Sequence, residues 1–239
     1  MSWKKSLPYF IWQSIRYAKN LDHFVKIWSF RKRWIESFKG GRNSIEDEIP
    51  WINLIALEYL QNNLRPGYKV FEYGGGGSTL FFCKNVAEVV TVEHHKDWFE
   101  ILTKKIREKG YNNWKGFFVE PELITDGRDR SKENPEDFVS GDISLSGFSF
   151  EKYVKTIDVF PNDYFDVVLV DGRARPSCIK QSISHVKKNG IVVIDNTERD
   201  YYLSYLKSLG LNSFKIENDF YAPVNFTPDF TKTTILRKS

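Results

Sequence analysis

Hydrophobic residues follow a helical period in the first part of this chain. Over the first forty residues, aromatic side chains recur at helical spacing, as at Phe30, Trp34 and Phe38. Such a period places side chains on one face of a helix, so we predict helices there that end at Gly40-Gly41. A further helix is predicted over 50–63, with Pro50 in its first turn.

From residue 69 onward the pattern changes to short apolar runs alternating with amphipathic segments. Strands are predicted at 69–73, 89–93, 117–120, 165–171 and 190–196, and helices from Ser78 to Asn85, near 95–109, near 175–188 and at 199–209. The runs at 165–171 and 190–196 are almost wholly apolar, as in parallel strands buried on both faces. This alternation predicts an α/β fold with a doubly wound, mostly parallel sheet.

The end of the chain breaks the alternation. Two strands are predicted at 213–217 and 233–237 with no helix between them, which indicates an antiparallel closing hairpin and brings the sheet to seven strands. The polar stretch 121–149 is predicted to be an inserted loop or lid. The chain is thus divided into a helical extension over 1–64 and an α/β domain over 65–239.

Composition and charge add limits to this picture. The chain has 239 residues, of which 41% are hydrophobic and 28% charged, as expected for a soluble globular protein. The net charge is +4, but residues 1–40 alone carry nine Lys or Arg against two acids. The basic character therefore belongs to the N-terminal extension, and the rest of the chain is slightly acidic.

The two cysteines, Cys83 and Cys178, are far apart and predict neither a disulfide framework nor a zinc cluster. That usage is typical of a reducing, intracellular compartment. No apolar run is long enough for a spanning helix, and lysines and arginines interrupt the N-terminal segment where a secretory signal would be apolar. We therefore expect a cytoplasmic protein, with membrane association as an alternative considered below.

A glycine-rich segment joins the first predicted strand to its helix. It reads Glu72-Tyr73-Gly74-Gly75-Gly76-Gly77, and glycines at such a turn let the backbone approach a ligand and leave helix N–H groups accessible. Glu93 ends the next strand, where a carboxylate can accept both hydroxyls of a ribose. Glu72 precedes the first glycine, where an acid can meet the cationic amino group of a bound amino acid.

Polar side chains also end the two apolar strands. Asp171 follows 165–170, and Asp195 and Asn196 end the run that begins at Gly190. Since carboxyl ends of parallel strands form one edge of a sheet, these side chains should converge, and their oxygens suit Mg²⁺. A magnesium site is therefore predicted, and pairing with nearby arginines or helix capping is the alternative.

The glycine segment resembles the first motif of class I S-adenosyl-L-methionine (SAM)-dependent methyltransferases, an acid followed by any residue and a glycine-rich turn. Glu93 resembles the second acid of that family, and the resemblance covers about residues 65–237, including the antiparallel end. It implies a Rossmann-like methyltransferase fold and SAM as cofactor. The residues that it places around the cofactor are Glu72, Tyr73, Gly74, Gly75, Gly76, Ser78, Thr79, Glu93, His94 and Asp171. For His94, a polar helix start is the alternative interpretation.

The acids at the strand ends are similar to those of metal-dependent, catechol-type O-methyltransferases. That branch has a lysine base three residues after its first Asp, whereas this chain has Ala174 there, flanked by Arg173 and Arg175. Arginine stays protonated and is a poor base, so the two arginines are predicted to hold an anionic group or stabilise an alkoxide. The predicted catalytic residues are Asp171, Arg173 and Arg175.

The run Asp171-Gly172-Arg173 also resembles a short motif of bacterial methyltransferases of sugar and polysaccharide biosynthesis. The resemblance implies methyl transfer to oxygen, more than to nitrogen, of a small polyhydroxylated or sugar-like acceptor. A nicotinamide-dependent oxidoreductase, an aminopropyl transferase and an inactive cofactor-binding module are the alternatives.

The basic, aromatic N-terminal segment has three interpretations. It covers the substrate cleft, it forms a homodimer interface, or it lies on an anionic membrane surface. Nucleic-acid binding is disfavoured because the main domain is slightly acidic, although Arg31-Lys32-Arg33 is a basic cluster.

Overall fold

The structure, a computed structural model, describes residues 3–208 and 214–239. Its α-helices are α1 (Leu7–Tyr17), α2 (Leu21–Ser29), α3 (Arg31–Glu36), α4 (Ser44–Asp47), α5 (Leu54–Asn63), α6 (Gly77–Asn85), α7 (Lys96–Lys109), α8 (Glu151–Lys155), α9 (Arg175–His185) and α10 (Ser204–Ser208). Its strands are β1 (Lys69–Tyr73), β2 (Glu88–Glu93), β3 (Trp114–Phe118), β4 (Glu122–Leu123), β5 (Phe148–Ser149), β6 (Phe165–Val170), β7 (Val186–Asp195), β8 (Phe214–Ala222) and β9 (Thr231–Lys238). Short 3-10 helices cover Trp3–Lys5, Ile143–Leu145, Thr156–Val159 and Asp200–Leu203.

Seven strands form one sheet in the order β3-β2-β1-β6-β7-β9-β8. The first five are parallel, and β9 runs antiparallel to both β7 and β8. The predicted doubly wound sheet and its antiparallel closing strand are therefore confirmed. β4 and β5 form a separate antiparallel pair within the insertion 121–149.

Both faces of the sheet are buried, which explains why its central strands lack a polar face. Phe71, Val168 and Ile194 pack on one face with Tyr153 and Cys178, whereas Val70, Val167 and Val193 belong to the core of the other face. Helices cover each face, so the strands need apolar side chains at consecutive positions.

The switch in strand order lies between β1 and β6. β1 pairs with β2 on one side and with β6 on the other, and the connections leave in opposite directions from this point. In such sheets a crevice opens outside the carboxyl ends of the strands, and ligands bind there. Residues that directly follow β1 and β6 are thus the first candidates for a site.

The N-terminal helices pack against the segment that connects β8 to β9. Phe10, Ile27 and Trp34 form a buried cluster with Phe230 of that segment. The indole N–H of Trp34 donates a 3.0 Å hydrogen bond to the carbonyl of Thr227. The basic, aromatic extension is thereby fixed to the closing hairpin.

The outer side of α1 and α2 remains exposed. It presents Leu7, Trp12, Ile15, Leu21 and Val25 to the surroundings. The described residues 3–40 do not line the main cavity described below, and the cleft cover expected of the extension stays a prediction. The dimer or membrane contact of this surface stays a prediction. Over 3–208 and 214–239, no helix combines the length and apolarity needed to cross a bilayer.

Several predicted element boundaries were wrong, and two of them have a clear local cause. α5 begins at Leu54 rather than at residue 50, because the side chain of Asn53 accepts from the N–H of Ala56 and caps the helix. β3 ends at Phe118 rather than at residue 120, because its last partner, Glu93, ends β2.

The second half of the chain shows two further differences. The helix predicted over 175–188 ends at His185, because Val186 already pairs with Phe165 in the sheet. The helix predicted over 199–209 is a 3-10 turn followed by α10, and its residue 209 lies outside the described residues. Residue 213, the predicted start of the closing hairpin, also lies outside them.

Candidate active site

A cavity of about 630 Å³ opens at the carboxyl ends of β1, β2, β6 and β7. Its volume lies in the usual range of small-molecule sites, about 300–1,000 Å³. The predicted residues that line it are Gly74, Gly75, Gly76, Ser78, Glu93, His94, Asp171, Arg173, Arg175, Asp195 and Asn196. Glu72, Tyr73 and Thr79, which were also predicted to contact the cofactor, are not among its lining residues.

The glycines of the loop are required mainly by the protein around them. A Cβ atom at Gly74, whose φ is +89°, would lie 2.8 Å from Cα of Gly172. At Gly75 it would lie 2.7 Å from Cδ2 of Leu102, and at Gly77 it would collide with the carbonyl of Ser44. Only at Gly76 would it have room, with its nearest neighbour 3.8 Å away. Close packing therefore accounts for three of these glycines, and Gly76 is the one with room for a Cβ atom.

Glu72 lies fully buried beneath the loop instead of facing the cavity. Its Oε2 accepts hydrogen bonds from the hydroxyls of Thr79, at 2.5 Å, and Thr91, at 3.0 Å. Thr79 in turn accepts from the N–H of Gly76. Burial raises the pKa of Glu72 to about 8, even though these hydroxyls favour the charged form. Glu72 thus supports the loop from below through Thr79.

Glu93 sits at the cavity wall and organises the turn after β2. Its Oε1 accepts from the backbone N–H groups of His94 and His95, at 2.7 and 2.8 Å. Its Oε2 accepts from the N–H of Gly75 at 3.0 Å. Burial acts to raise the pKa of Glu93, but His94 and the backbone donors outweigh it, so the pKa is lowered overall. The side chain is a carboxylate at neutral pH, tied to the glycine loop.

Trp98 is a cavity residue that the sequence did not reveal. Its indole N–H donates a 2.6 Å hydrogen bond to the carbonyl of Gly75, and its ring is partly exposed at the loop. The neighbouring His95 begins α7 as its N-cap, and the ring of His94 packs at 5.6 Å from that of Phe150. The spacing of Trp98 carried no signal, because its role depends on α7 packing beside the loop.

Arg175 joins the ends of β6 and β7. Its guanidinium donates to Oδ1 of Asp171 at 2.9 Å, to Oδ1 of Asn196 at 3.0 Å and to the carbonyl of Asp195 at 2.5 Å. Its Nε donates to the carbonyl of Gly172 at 3.1 Å. With only 7% of its side chain exposed, Arg175 is the cation around which these groups converge.

The predicted magnesium ligands do not fit a metal ion in this arrangement. Oδ1 of Asp171 and Oδ1 of Asn196 both point to the Arg175 guanidinium, and Oδ1 of Asp195 accepts a 2.6 Å hydrogen bond from Thr233. Within 3–208 and 214–239, no cluster of three or more His, Cys, Asp or Glu side chains has the geometry to hold a metal. The side-chain oxygens of Asp171 and Asn196 do converge as predicted, but around an arginine, and the Asp195 side chain bonds to Thr233 instead.

The two carboxyl groups at this edge influence each other. Burial raises the pKa of Asp171, and Arg175 and Arg173 oppose that shift. Burial also raises the pKa of Asp195, and the charge of Asp171 adds to that shift. Asp171 keeps 24% of its side chain exposed, whereas Asp195 is buried behind it. Asp171 is therefore the acid that a ligand can reach.

Arg173 and Arg175 have different surroundings although only Ala174 separates them. Ala174 has a left-handed backbone with φ of +46°, which turns the chain sharply into α9. Arg175 is buried, whereas Arg173 reaches Asp142 of the insertion at 3.3 Å. The insertion 121–149 therefore contacts the site through this ion pair.

The opposite wall comes from regions outside the predicted motifs. Ser44 and Trp51 belong to the N-terminal extension, and Val224, Thr227 and Thr231 to the closing hairpin and its connection. Trp51 is half-exposed. These residues line the cavity only because the extension and the hairpin fold over the sheet edge, so no sequence spacing indicated them.

Solved structures share this architecture. A candidate O-methyltransferase from Klebsiella pneumoniae matches with a TM-score of 0.56 and 10% identity, over 88% of this chain and 96% of its own. A candidate methyltransferase from Streptococcus mutans was solved in complex with S-adenosylhomocysteine (SAH). It matches with a TM-score of 0.53 and 12% identity, over 83% of this chain and 99% of its own. An rRNA methylase from Streptococcus thermophilus matches with a TM-score of 0.52 and 14% identity, over 77% and 94%.

The chain has the class I methyltransferase fold. Its sheet has all seven strands of that fold, including the antiparallel β9 between β7 and β8. No family model matches the chain, and no curated protein does. Since matches at these identities show the fold alone, activity must be argued from the site itself.

Proposed function

We propose that this chain is a SAM-dependent methyltransferase that acts on a hydroxyl oxygen of a small, polyhydroxylated or sugar-like acceptor. The observation that carries the proposal is one cavity, at the switch point of the sheet, lined by the glycine loop, the charged Glu93 and Asp171. SAH occupies the Streptococcus mutans protein of the same fold, which supports a related ligand here.

The cavity offers complementary groups for each part of SAM. Oε2 of Glu93 accepts one backbone N–H, which leaves it a lone pair for a ribose hydroxyl. Trp98 offers a partly exposed aromatic surface beside the loop. Ser78 lies in the first turn of α6, where the helix N-terminus favours a carboxylate. Glu72 acts on the cofactor only by supporting the loop.

Asp171 is the proposed base. SAM, when bound, supplies a methyl group on a cationic sulfur. As the acceptor oxygen gained that methyl and the S–CH3 bond broke to leave SAH, the carboxylate of Asp171 would take the hydroxyl proton. Arg175 fixes Oδ1 of Asp171. The other oxygen of Asp171, Oδ2, has no hydrogen-bond partner among the described residues. Its pKa is raised by burial, which makes it a stronger base near neutral pH. Holding donor and acceptor in line would supply much of the rate.

The N-terminal extension is proposed to shape the acceptor side of the cavity. Ser44 and Trp51 line that side directly. Trp34 also holds the carbonyl of Thr227, a lining residue of the connection between β8 and β9. We therefore infer that residues 1–64 serve acceptor binding by supporting this wall.

Ligand binding and transfer assays test the function. Calorimetry with SAH and with NAD⁺ identifies the cofactor class, and transfer from radiolabelled SAM to a panel of hydroxylated compounds measures turnover. Asp171→Asn should keep SAH binding and lower turnover about 100-fold or more, as expected for a missing general base. The exposed Asp129→Asn is the control and should behave as wild type. Binding of NAD⁺ without SAH, or SAH binding with no turnover on any acceptor, would contradict the proposal.

A further inference from the structure

A second cavity, of about 380 Å³, adjoins the first. Gly172, Arg173 and Arg175 line both cavities. The remaining wall of the second comes from the insertion 121–149, from the start of α9 and from the 3-10 turn at Asp200–Leu203. A molecule in the first cavity could therefore extend into the second past Arg173.

The second cavity carries an excess of positive charge. Four cationic side chains line it, Lys132, Arg173, Arg175 and Arg199, against the single acid Asp142. Arg175 is paired with Asp171, and Arg173 lies 3.3 Å from Asp142. Two cations therefore remain without a carboxylate among the described residues.

Within the described ranges, the partners of these two cations are neutral and aromatic. Arg199 donates a 2.6 Å hydrogen bond to the hydroxyl of Tyr202, and Nζ of Lys132 lies 5.4 Å from the centre of the Tyr201 ring. A hydroxyl and a ring face do not neutralise a charge. The cavity thus keeps about two positive charges for an incoming group.

The start of α9 adds to the positive electrostatic potential of the second cavity. Ala174 precedes the helix and supplies no side-chain cap, and Ala174 and Pro176 both line the cavity. Because Pro176 in the first turn has no N–H, the helix start favours an anion mainly through its dipole. In addition, Nε of Arg173 is buried without a hydrogen-bond partner in the part of the chain that the structure describes. An anion would be contacted through the terminal nitrogens of Arg173, since Nε itself has no solvent contact.

We propose that this cavity binds a phosphate group carried by the methyl acceptor. The proposal rests on the proposed function in one respect, that the acceptor occupies the neighbouring cavity. A phosphate monoester carries close to two negative charges at neutral pH, which matches the excess of the cavity. Planar guanidinium groups at Arg173 and Arg199 suit its oxygens, and Lys132 supplies a point charge. The acceptor class is then a hydroxylated phosphate ester rather than a neutral sugar.

Binding of defined probes tests this proposal without requiring turnover. Inorganic phosphate, glucose 6-phosphate and glucose are titrated into wild type and into Lys132→Met, Arg199→Met and the double variant. Glucose 6-phosphate should bind wild type more tightly than glucose does. Each single variant should weaken phosphate binding about tenfold, as expected for a lost charge-assisted contact. Lys104→Met, on the exposed face of α7, is the matched control and should bind as wild type.

The outcomes separate this proposal from the proposed function. SAH binding should be unchanged in every variant, because Lys132 and Arg199 do not line the first cavity. Phosphate binding that is unaffected in the double variant, or equal binding of glucose and glucose 6-phosphate, would overturn the phosphate site. Absence of SAH binding in wild type would instead overturn the methyltransferase proposal. Arg199→Lys, which keeps the charge but not the bond to Tyr202, should retain part of the affinity, whereas a purely structural role of Arg199 would give no such rescue.

Discussion

The hydroxyl of Thr79 donates a 2.5 Å hydrogen bond to Oε2 of the buried Glu72 beneath the glycine loop. Because Thr79 also accepts from the N–H of Gly76, this contact links the buried Glu72 to Gly76, which lines the cavity. Oε1 of the same carboxyl group is buried without a hydrogen-bond partner in the described part of the chain. A protonated Glu72 fits this environment better than a carboxylate.

Glu72→Gln should therefore change how stability depends on pH. The pKa of Glu72 is about 8 in the folded protein against an ordinary value of 4.5. Between these values the folded state holds a proton that the unfolded chain has lost, so the free energy of unfolding falls as pH rises and levels off above about 8. Glutamine cannot ionise, and Glu72→Gln should lack this slope.

Urea denaturation of both proteins at several values between pH 5 and 9 measures the effect. The difference between them isolates Glu72, because Asp195 and all other groups are common to both. Relative to wild type, Glu72→Gln should gain stability as pH rises. The exposed Glu100→Gln is the control and should run parallel to wild type. A constant difference between wild type and Glu72→Gln would show that Glu72 is ionised in the folded protein.

Glu93→Gln should weaken SAH binding by about tenfold or more, since charged hydrogen bonds contribute about 1.5–3 kcal/mol each. The pKa of Glu93 lies below its ordinary value of 4.5, so its charge persists throughout neutral pH. Its stabilising effect is therefore present above that value and is lost as the pH falls through the folded-state pKa. Between pH 6 and 8, calorimetry should show no change in SAH affinity that comes from protonation of Glu93. Unchanged affinity in Glu93→Gln would remove the ribose contact from the proposal.

Two adjacent glycines should respond differently to alanine. Gly77→Ala places a Cβ against the carbonyl of Ser44, so it should destabilise the fold by about 1–3 kcal/mol, as other overpacked sites do. Gly76→Ala has room in the structure and an extended φ of 172°, so it should fold normally but weaken SAH binding. Thermal melts and calorimetry separate these effects. Equal loss of stability in both variants would contradict the close-packing explanation.

Arg175→Met should be among the most destabilising substitutions in the chain. It leaves Asp171 without its partner and removes donors to Asn196 and to the carbonyl of Asp195. Breaking a buried ion pair typically costs about 3–5 kcal/mol. Urea denaturation measures the loss, and the exposed Arg107→Met provides the control. A loss below about 1 kcal/mol, the range of surface pairs, would show that Arg175 is not central to this edge of the sheet.

Trp51→Ala tests the role of the N-terminal extension. Trp51 is 50% exposed and lines the cavity, whereas Trp12 is 47% exposed and lies on the outer side of α1. Trp51→Ala should raise KM for the acceptor several-fold, because a lost aromatic contact of about 1 kcal/mol weakens binding by that factor, and should leave SAH affinity unchanged. Trp12→Ala should alter neither constant. An equal response of the two variants would show that Trp51 has no specific role in acceptor binding.

The sequence by itself determined the strands of the sheet, the loop after β1 and the acids at the strand ends. These features follow from local pattern, because a strand buried on both faces needs consecutive apolar residues and its last residue lies at the ligand edge. Glu93 and Asp171 could be placed at the cavity for this reason alone. The antiparallel closing hairpin was predicted from the missing helix between its strands, but the position of β9 between β7 and β8 was not predicted.

The tertiary structure decided what these groups contact. Glu72 has the spacing of a ligand residue, yet the packing of α6 and β2 buries it against Thr79 and Thr91. Asp171 and Asn196 have the oxygens of a metal site, yet the turn at Ala174 brings Arg175 between them. Such contacts depend on how separate elements pack, and neither periodicity nor spacing records the energy of burying a charge or the partner that compensates it.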